Sequence, residues 1–453
     1  MLNATKTIAA ISTASGAGGI GVVRLSGPLA LEIGQQISGS NLKPRIANFH
    51  SFKDLNGSLI DQGLILFFPG PNSFTGDDII EFQCHGGTVV TQSILDLCLR
   101  LDAVLAEPGE FSKRAYLNNK IDLAQAESIA DLINASTVEA AQSAANSLSG
   151  KFSLEINNLL KYLIELRMYV EACLDFPEED IDFISEGNVK EKLQNLTETM
   201  AKIIRAASQG QLLRDGISLV LVGQPNVGKS SLLNQLSGEN KAIVTDIPGT
   251  TRDAITSDIN LNGIVLNIID TAGLRDTDDP IEKFGIEKTW SSLEKGHIAL
   301  FLVDASKGIT EYEKGILKRL PEEIKRMWVF NKIDLIKAKP KIEQLNNDQI
   351  VYMSAKTGDG LDLLKKAILN EVGFKENSEG SESKFIARKR HLEALENVHK
   401  SLQSAQLNMA SAELIAEDLT IAQKYLSSIT GEFTSDDLLG EIFSPVSYTH
   451  LRA

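Results

Sequence analysis

Ile217-Ser-Leu-Val-Leu-Val-Gly223-Gln-Pro-Asn226-Val-Gly228-Lys229-Ser230-Ser-Leu-Leu233 reads as an apolar strand, a loop of the form G-x-x-x-x-G-K-S, and the opening of a helix. The glycines let the backbone curl until successive N–H groups point into one anion-sized hollow at a helix N-terminus. Lys229 is spaced to reach the β- and γ-phosphates of a nucleotide, and the Ser230 hydroxyl to sit on Mg²⁺. With a strand before it and a helix after it, the run Asn226, Val227, Gly228, Lys229, Ser230, Ser231 is a nucleotide phosphate site.

Four further segments specify the nucleotide. Asn262 to Gly273 places Asp270 at a strand terminus, where it can hold the Mg²⁺ shell, and leaves the N–H of Gly273 to meet the γ-phosphate beside Thr271 and Ala272. Asn331-Lys332-Ile-Asp334 follows another apolar run. The Asp334 carboxylate can accept from N1–H and the 2-amino group of guanine, donors that adenine lacks. Ser354-Ala355-Lys356 offers backbone donors to the guanine O6. Between loop and strand, Thr245-Asp246-Ile247-Pro248-Gly249-Thr250-Thr251-Arg252 supplies Thr251, able to close on Mg²⁺ when the γ-phosphate is present. All five in order define a domain that binds and hydrolyses GTP. Signalling GTPases follow D-T-A-G with a water-orienting glutamine; here Leu274 stands there, which leaves Arg275, Glu282 and Arg252 as candidates.

At 453 residues the chain exceeds one core and implies two to four domains. Its net charge of −15 excludes a protein that binds nucleic acid by bulk charge, so contact with RNA needs a local basic patch or a partner. Lys384 to Arg390 is such a cluster, though it reads more readily as a solvated helix start. Cys84, Cys98 and Cys173 are widely spaced and odd in number, as in a reducing compartment. Neither they nor the histidines show zinc-site spacing. No leader pattern and no apolar run near the ~18 residues of a membrane span stand out, so a cytoplasmic location is expected.

Residues 1–118 alternate short β-like runs with glycine turns, followed by a helical stretch over 88–101, which reads as an α+β domain. On spacing alone its Arg24, Glu81 and His85 are strand-edge or turn residues facing water. In 119–212, Leu148, Phe152, Ile156, Leu159, Leu163, Val170 and Leu174 form one helical stripe, and in 379–453 Ile415, Leu419, Ala422, Leu426 and Ile429 form another. The nucleotide domain, 213–378, lies between them. The expectation is a multidomain α/β and α protein: an N-terminal α+β domain, then a discontinuous helical bundle with a Ras-like P-loop GTPase domain inserted in it.

G-x-P-N-V-G-K-S-S-L-L-N, D-I-P-G-T-T-R-D and D-T-A-G-L-R resemble the Era-like, cation-dependent GTPases of bacteria. Gly18 to Gly27, Asp78 to Gly87 and Glu107 to Glu127 match, more specifically, the MnmE (TrmE) family of tRNA-modification GTPases, and the likeness runs to about residue 444. The resemblance implies a homodimer formed through the N-terminal domain, which binds 5-formyltetrahydrofolate through Arg24, Glu81 and Lys120. It implies K⁺ held by groups matching Asn226, Thr245, Ile247 and Thr250, in a site completed when two GTPase domains meet. Glu282 matches the residue that orients water. It further implies a heterotetramer with the FAD-carrying MnmG and installation of a carboxymethylaminomethyl or aminomethyl group on C5 of the tRNA wobble uridine (U34), the tRNA being held largely by the partner. After Gly440 to Ser444 the chain continues Pro445 to Ala453, where the family ends in Phe-Cys-Ile-Gly-Lys. Two other functions compete: an Era-like ribosome-assembly or RNA-binding GTPase, and a folate-dependent one-carbon transferase with a regulatory GTPase insert.

Overall fold

The computed structural model describes residues 6–175, 188–238, 256–270, 297–321, 324–345, 348–374 and 385–431. The chain divides into two compact units, residues 1–130 with 426–453, and residues 131–425.

In the first unit the order is β1 (Ile8–Ile11), β2 (Gly18–Ser26), α1 (Ala30–Ser38), β3 (Asn48–Lys53), β4 (Leu59–Phe68), β5 (Ile79–Gly86), α2 (Thr88–Arg100), β6 (Val104–Leu105) and α3 (Glu110–Leu117), with α4 (Leu123–Ile133) beginning here. The sheet order is β3-β4-β5-β2-β1-β6, antiparallel except for the β1–β6 edge. Period-two alternation divides its faces. Val23, Leu25, Ile80, Phe82 and Cys84 pack under Ile33 and Ile37 of α1 and Ile94 and Leu97 of α2, with Phe52 set edge-on to Phe82 at 5.3 Å. Arg24 and Glu81 take the alternate positions, so they share the opposite face.

The second unit contains α5 (Val138–Leu148), α6 (Lys151–Asp175), α7 (Val189–Asp215), β7 (Ile217–Val222), α8 (Lys229–Ser237), β8 (Thr256–Leu261), β9 (Ile264–Asp270), β10 (Ile298–Asp304), α9 (Glu311–Leu317), β11 (Lys325–Asn331), α10 (Ile333–Ile336), β12 (Lys341–Leu345), β13 (Asp348–Tyr352), α11 (Leu361–Glu371), α12 (Lys389–Leu407) and most of α13 (Ala412–Thr430). Its sheet runs β12-β13-β11-β10-β7-β9-β8, with the β8–β9 and β12–β13 edges antiparallel and the five central strands parallel. Parallel strands are covered on both faces and read as unbroken apolar runs; β10 is buried at every position. One face packs Leu219, Leu221, Leu300 and Val329 against Leu232 of α8 and Leu364 of α11, and the other packs Val220, Phe301 and Trp328 against Ile316 of α9. This is a doubly wound α/β domain, whose ligands bind beyond the carboxyl ends of the strands.

The helical stripes take up the positions their periodicity requires. Phe152, Ile156, Leu159, Leu163 and Val170 of α6 are buried, as are Ile415, Leu419, Ala422, Leu426 and Ile429 of α13, while Leu174 at the end of α6 is 36% exposed. Several contacts among the described residues tie helices to the nucleotide domain, among them two groups around Gly263 and Asp131. The Thr137 hydroxyl caps α5 by accepting from the Ala140 N–H and donates to the Gly263 carbonyl at 2.8 Å. Gly263, in the β8–β9 turn at φ +90°, lies so close under Glu139 that a Cβ there would stand 2.5 Å from its Cγ. The Asp131 carboxylate, 6% exposed, receives Arg214 from the end of α7 and Arg388 from the start of α12, each at 2.9 Å. One buried anion thus joins the segments by which the chain enters and leaves the nucleotide domain.

Candidate functional site

The carboxyl ends of β7, β10 and β11 lie side by side, and each delivers one loop. After β7 the phosphate loop runs through Asn226 at φ +63° and Gly228 at φ +106°, and α8 starts at Lys229. A side chain at Gly228 would displace Asn331: a Cβ would stand 2.2 Å from its amide nitrogen, in a conformation that side chains rarely adopt. The Lys229 ammonium donates to the Gly223 carbonyl at 2.6 Å, which folds the lysine over its own loop. Ser230 and Ser231 are exposed on the first turn of α8. A lysine and two exposed hydroxyls at a helix N-terminus are groups that can take an oligophosphate.

Asn331 fastens this loop to the base side. It is 2% exposed; its amide donates to the Val227 carbonyl at 2.7 Å, and its side-chain oxygen accepts from the Ala355 N–H at 2.8 Å. Lys332 follows at φ +67°. The Asp334 carboxylate accepts from the Ser354 hydroxyl at 2.7 Å through one oxygen, so the second can accept from a base. Ser354 and Ala355 are buried, Lys356 is exposed, and Ser354 closes a turn through its carbonyl to the Gly358 N–H. The structure thus brings Asn226 to Ser231 together with Asn331, Lys332, Asp334 and Ser354 to Lys356. Asp270 ends β9 opposite Leu221 of β7. Thr245, Asp246, Ile247, Pro248, Gly249, Thr250, Thr251, Arg252, Thr271, Ala272, Gly273, Arg275 and Glu282 lie outside the described residues.

The loop after β10 holds residues that the sequence did not single out. Asp304, 7% exposed, accepts from the Lys332 ammonium at 2.9 Å and from the Ser306 hydroxyl and N–H at 2.6 and 3.0 Å. Burial alone would raise its carboxyl; the Ser306 hydroxyl and the Lys332 ammonium outweigh that and hold it down at about 2. Thr310 accepts from the Gln224 side-chain amide of the phosphate loop at 2.7 Å. A charged residue closing a wholly apolar strand was the available signal.

In the N-terminal unit, Arg24 and Glu81 are register partners joined at 2.7 and 2.8 Å, and the Arg24 guanidinium lies 5.7 Å from the Phe111 ring centre. They line a cavity of about 320 Å³ with Arg45, Phe68 and Phe74. Lys120 lines a different cavity, of about 460 Å³, with Tyr116, Asp122, Gln125 and Gly431. The loop 72–76 touches both sides: Phe74 lines the first cavity, and Gly76 lies beside the stem of Lys120. His85 is fixed by Asp61, which receives its Nδ1 and its backbone N–H at 2.8 Å, and lines neither cavity.

Residues 7–120 match the family model of the GTP-binding protein TrmE N-terminus, and residues 123–445 match that of the MnmE helical domain. The chain is 51% identical over 439 residues to a tRNA modification GTPase MnmE of Chromobacterium violaceum, covering 97% of each chain. It is 49% identical over 441 residues to one of Hydrogenovibrio crunogenus, again covering 97% of each. It is 50% identical over 446 residues to one of Nitrosomonas europaea, covering 98% of this chain and 99% of that one. No helix among the described residues is long and apolar enough to cross a membrane.

Proposed function

We propose a working cycle from one premise: this chain belongs to the MnmE family of tRNA modification GTPases, which it matches over nearly its whole length. It is a GTP-hydrolysing enzyme of tRNA modification. The observation that carries the nucleotide half is Asn331, whose one side chain ties the phosphate loop at Val227 to the base loop at Ala355.

In the proposed cycle Lys229 and the loop N–H groups bind the β- and γ-phosphates, and Asp334 and the Ala355 and Lys356 backbone read guanine. Ser230, exposed directly after the loop, and Thr251 would hold Mg²⁺, with Asp270 beside it. Asn226, Thr245, Ile247 and Thr250 would hold K⁺; of these, Asn226 is exposed at the turn of the loop. When bound, these cations supply positive charge beside the transferring phosphoryl group. Glu282 orients the attacking water in place of the glutamine absent at Leu274, with Arg252 and Arg275 available to the phosphates.

The N-terminal unit would bind 5-formyltetrahydrofolate. The Arg24–Glu81 pair offers adjacent donor and acceptor groups of the kind a pterin edge pairs with, and Lys120 a cation for carboxylate, on the two sides of loop 72–76. As a homodimer in the cytoplasm, joined to the flavoprotein MnmG in a heterotetramer, the protein modifies C5 of the wobble uridine. The nucleosides of tRNA from cells lacking the gene, with and without this chain supplied on a plasmid, test the reading by mass spectrometry. Restored carboxymethylaminomethyl- or aminomethyl-uridine is expected; an expressed chain that restores neither would sink the proposal.

A further inference from the structure

Strand order makes the loop after β10 the middle one of three, between the phosphate loop after β7 and the base loop after β11. It is fastened to both neighbours. On one side Asp304 holds the Lys332 ammonium at 2.9 Å, and its other oxygen is occupied by the hydroxyl and N–H of Ser306. On the other side the Gln224 amide donates to the Thr310 hydroxyl at 2.7 Å. That hydroxyl in turn donates to Glu313, a carboxylate 1% exposed that also accepts the Thr310 N–H at 2.9 Å.

Each fastening ends on a buried anion, and charge-assisted hydrogen bonds are the strong ones. Both anions belong to short-range motifs: the Asp304 turn, whose carbonyl accepts from Lys307 and Gly308, and the capping box of α9. Neither can shift without dismantling its own turn. Lys332 is therefore held at both ends, by a left-handed backbone and by its ammonium, two positions before the base-reading Asp334.

We propose that Asp304, Ser306, Thr310 and Glu313 are positioning residues: the segment 304–313 is a brace that sets the separation of the phosphate and base loops without touching the nucleotide. The inference rests on the reading of this site as a guanine-nucleotide site. A nucleotide spans both loops, so its affinity depends on their separation, and a loop that drifts must be re-ordered at each binding event.

The test uses the full-length chain, displacement of a fluorescent GDP analogue by GDP, and thermal unfolding without nucleotide. Asp304→Asn, which keeps an oxygen for Ser306 but removes the charge from Lys332, is expected to weaken GDP binding about tenfold, the scale of one hydrogen bond to a charged group. Ser306→Ala, an exposed side chain whose loss spares the core, is expected to weaken it about threefold. Gln224→Met, on the other fastening, is expected to weaken it by a similar factor. In a Lys332→Met background Asp304→Asn is expected to add less than about twofold, because its partner is already gone. A wild-type chain that binds no GDP overturns both the site reading and the brace. With wild-type binding intact, variants that all bind within twofold of it overturn the brace alone, as do Asp304→Asn and Lys332→Met losses that multiply.

Discussion

Replacing Asn331 by alanine removes one amide and strands two backbone groups. Val227, whose carbonyl receives the amide, is 7% exposed, and Ala355, whose N–H donates to it, is 2% exposed. A buried polar group left without its partner costs about 1–3 kcal/mol, so the two together cost about 2–6 kcal/mol. Not all of this appears as lost affinity. The free protein relaxes by letting the loops separate or admitting water, whereas a bound nucleotide pulls Val227 and Ala355 back into place. If about 2 kcal/mol falls on the binding step, GDP affinity weakens about 30-fold, at 1.4 kcal/mol per factor of ten. The assay is displacement of fluorescent GDP, read beside thermal unfolding of the nucleotide-free chain. Asn331→Asp separates the two bonds, since it keeps the acceptor for Ala355 and turns the donor toward Val227 into a second acceptor; it should bind no better than Asn331→Ala. An affinity within threefold of wild type, with unchanged unfolding, would refute the view that this side chain ties the loops together.

Asp334→Asn should move preference from guanine toward xanthine nucleotides, because half of the acceptor pair becomes a donor; retained GTP preference in competition binding would count against Asp334 as the base reader. GTP hydrolysis should run faster in K⁺ than in Na⁺, given the exposed Asn226 and the Leu274 that replaces glutamine, and equal rates in the two salts would remove K⁺ from the mechanism. Asp131→Asn should destabilise the second unit by about 2–3 kcal/mol, less than a fully buried pair would lose because Arg214 is 32% exposed and keeps Asp215; an unchanged denaturant midpoint would show that the two arginines need no anion. The stability that Asp304 contributes is fully present above about pH 4 and lost as pH falls through about 2, since its folded carboxyl lies below its ordinary value. The stability gap between wild type and Asp304→Asn should accordingly stay constant from about pH 7 to about 4, and a gap already closing above pH 5 would contradict the assignment.

What is legible in the sequence depends on how locally each feature is determined. The phosphate loop is legible because one strand, one loop and one helix suffice to build it, and every residue it needs lies within 17 positions of Ile217. The stripes of α6 and α13 are legible because helical periodicity is set by nearest neighbours on one face. Strand β3 is not legible: Asn48-Phe-His-Ser-Phe-Lys53 alternates only weakly, and it is held as a strand by its register with β4. Nor is α1, whose N-terminus has no side-chain cap to announce it.

Arg24 and Glu81 mark the boundary of this legibility. They are 57 positions apart, and each alone is a polar residue at a strand edge; only the register of β2 with β5 makes them a pair. The same register logic explains why Asn331 is legible in the sequence and Asp304 is not. Asp304 is the cross-strand partner of Asn331, yet it belongs to no contiguous motif, and its link to Lys332 exists only once β10 is known to lie beside β11. Residues that touch a nucleotide recur at fixed spacing because the ligand's own dimensions fix them. Residues that hold those residues are fixed by sheet order, so their spacing along the chain carries no ligand's imprint. A variant scan limited to the motif positions would therefore pass over Asp304 and Glu313, where the loss of one buried carboxylate loosens a loop that the motif assumes to be in place.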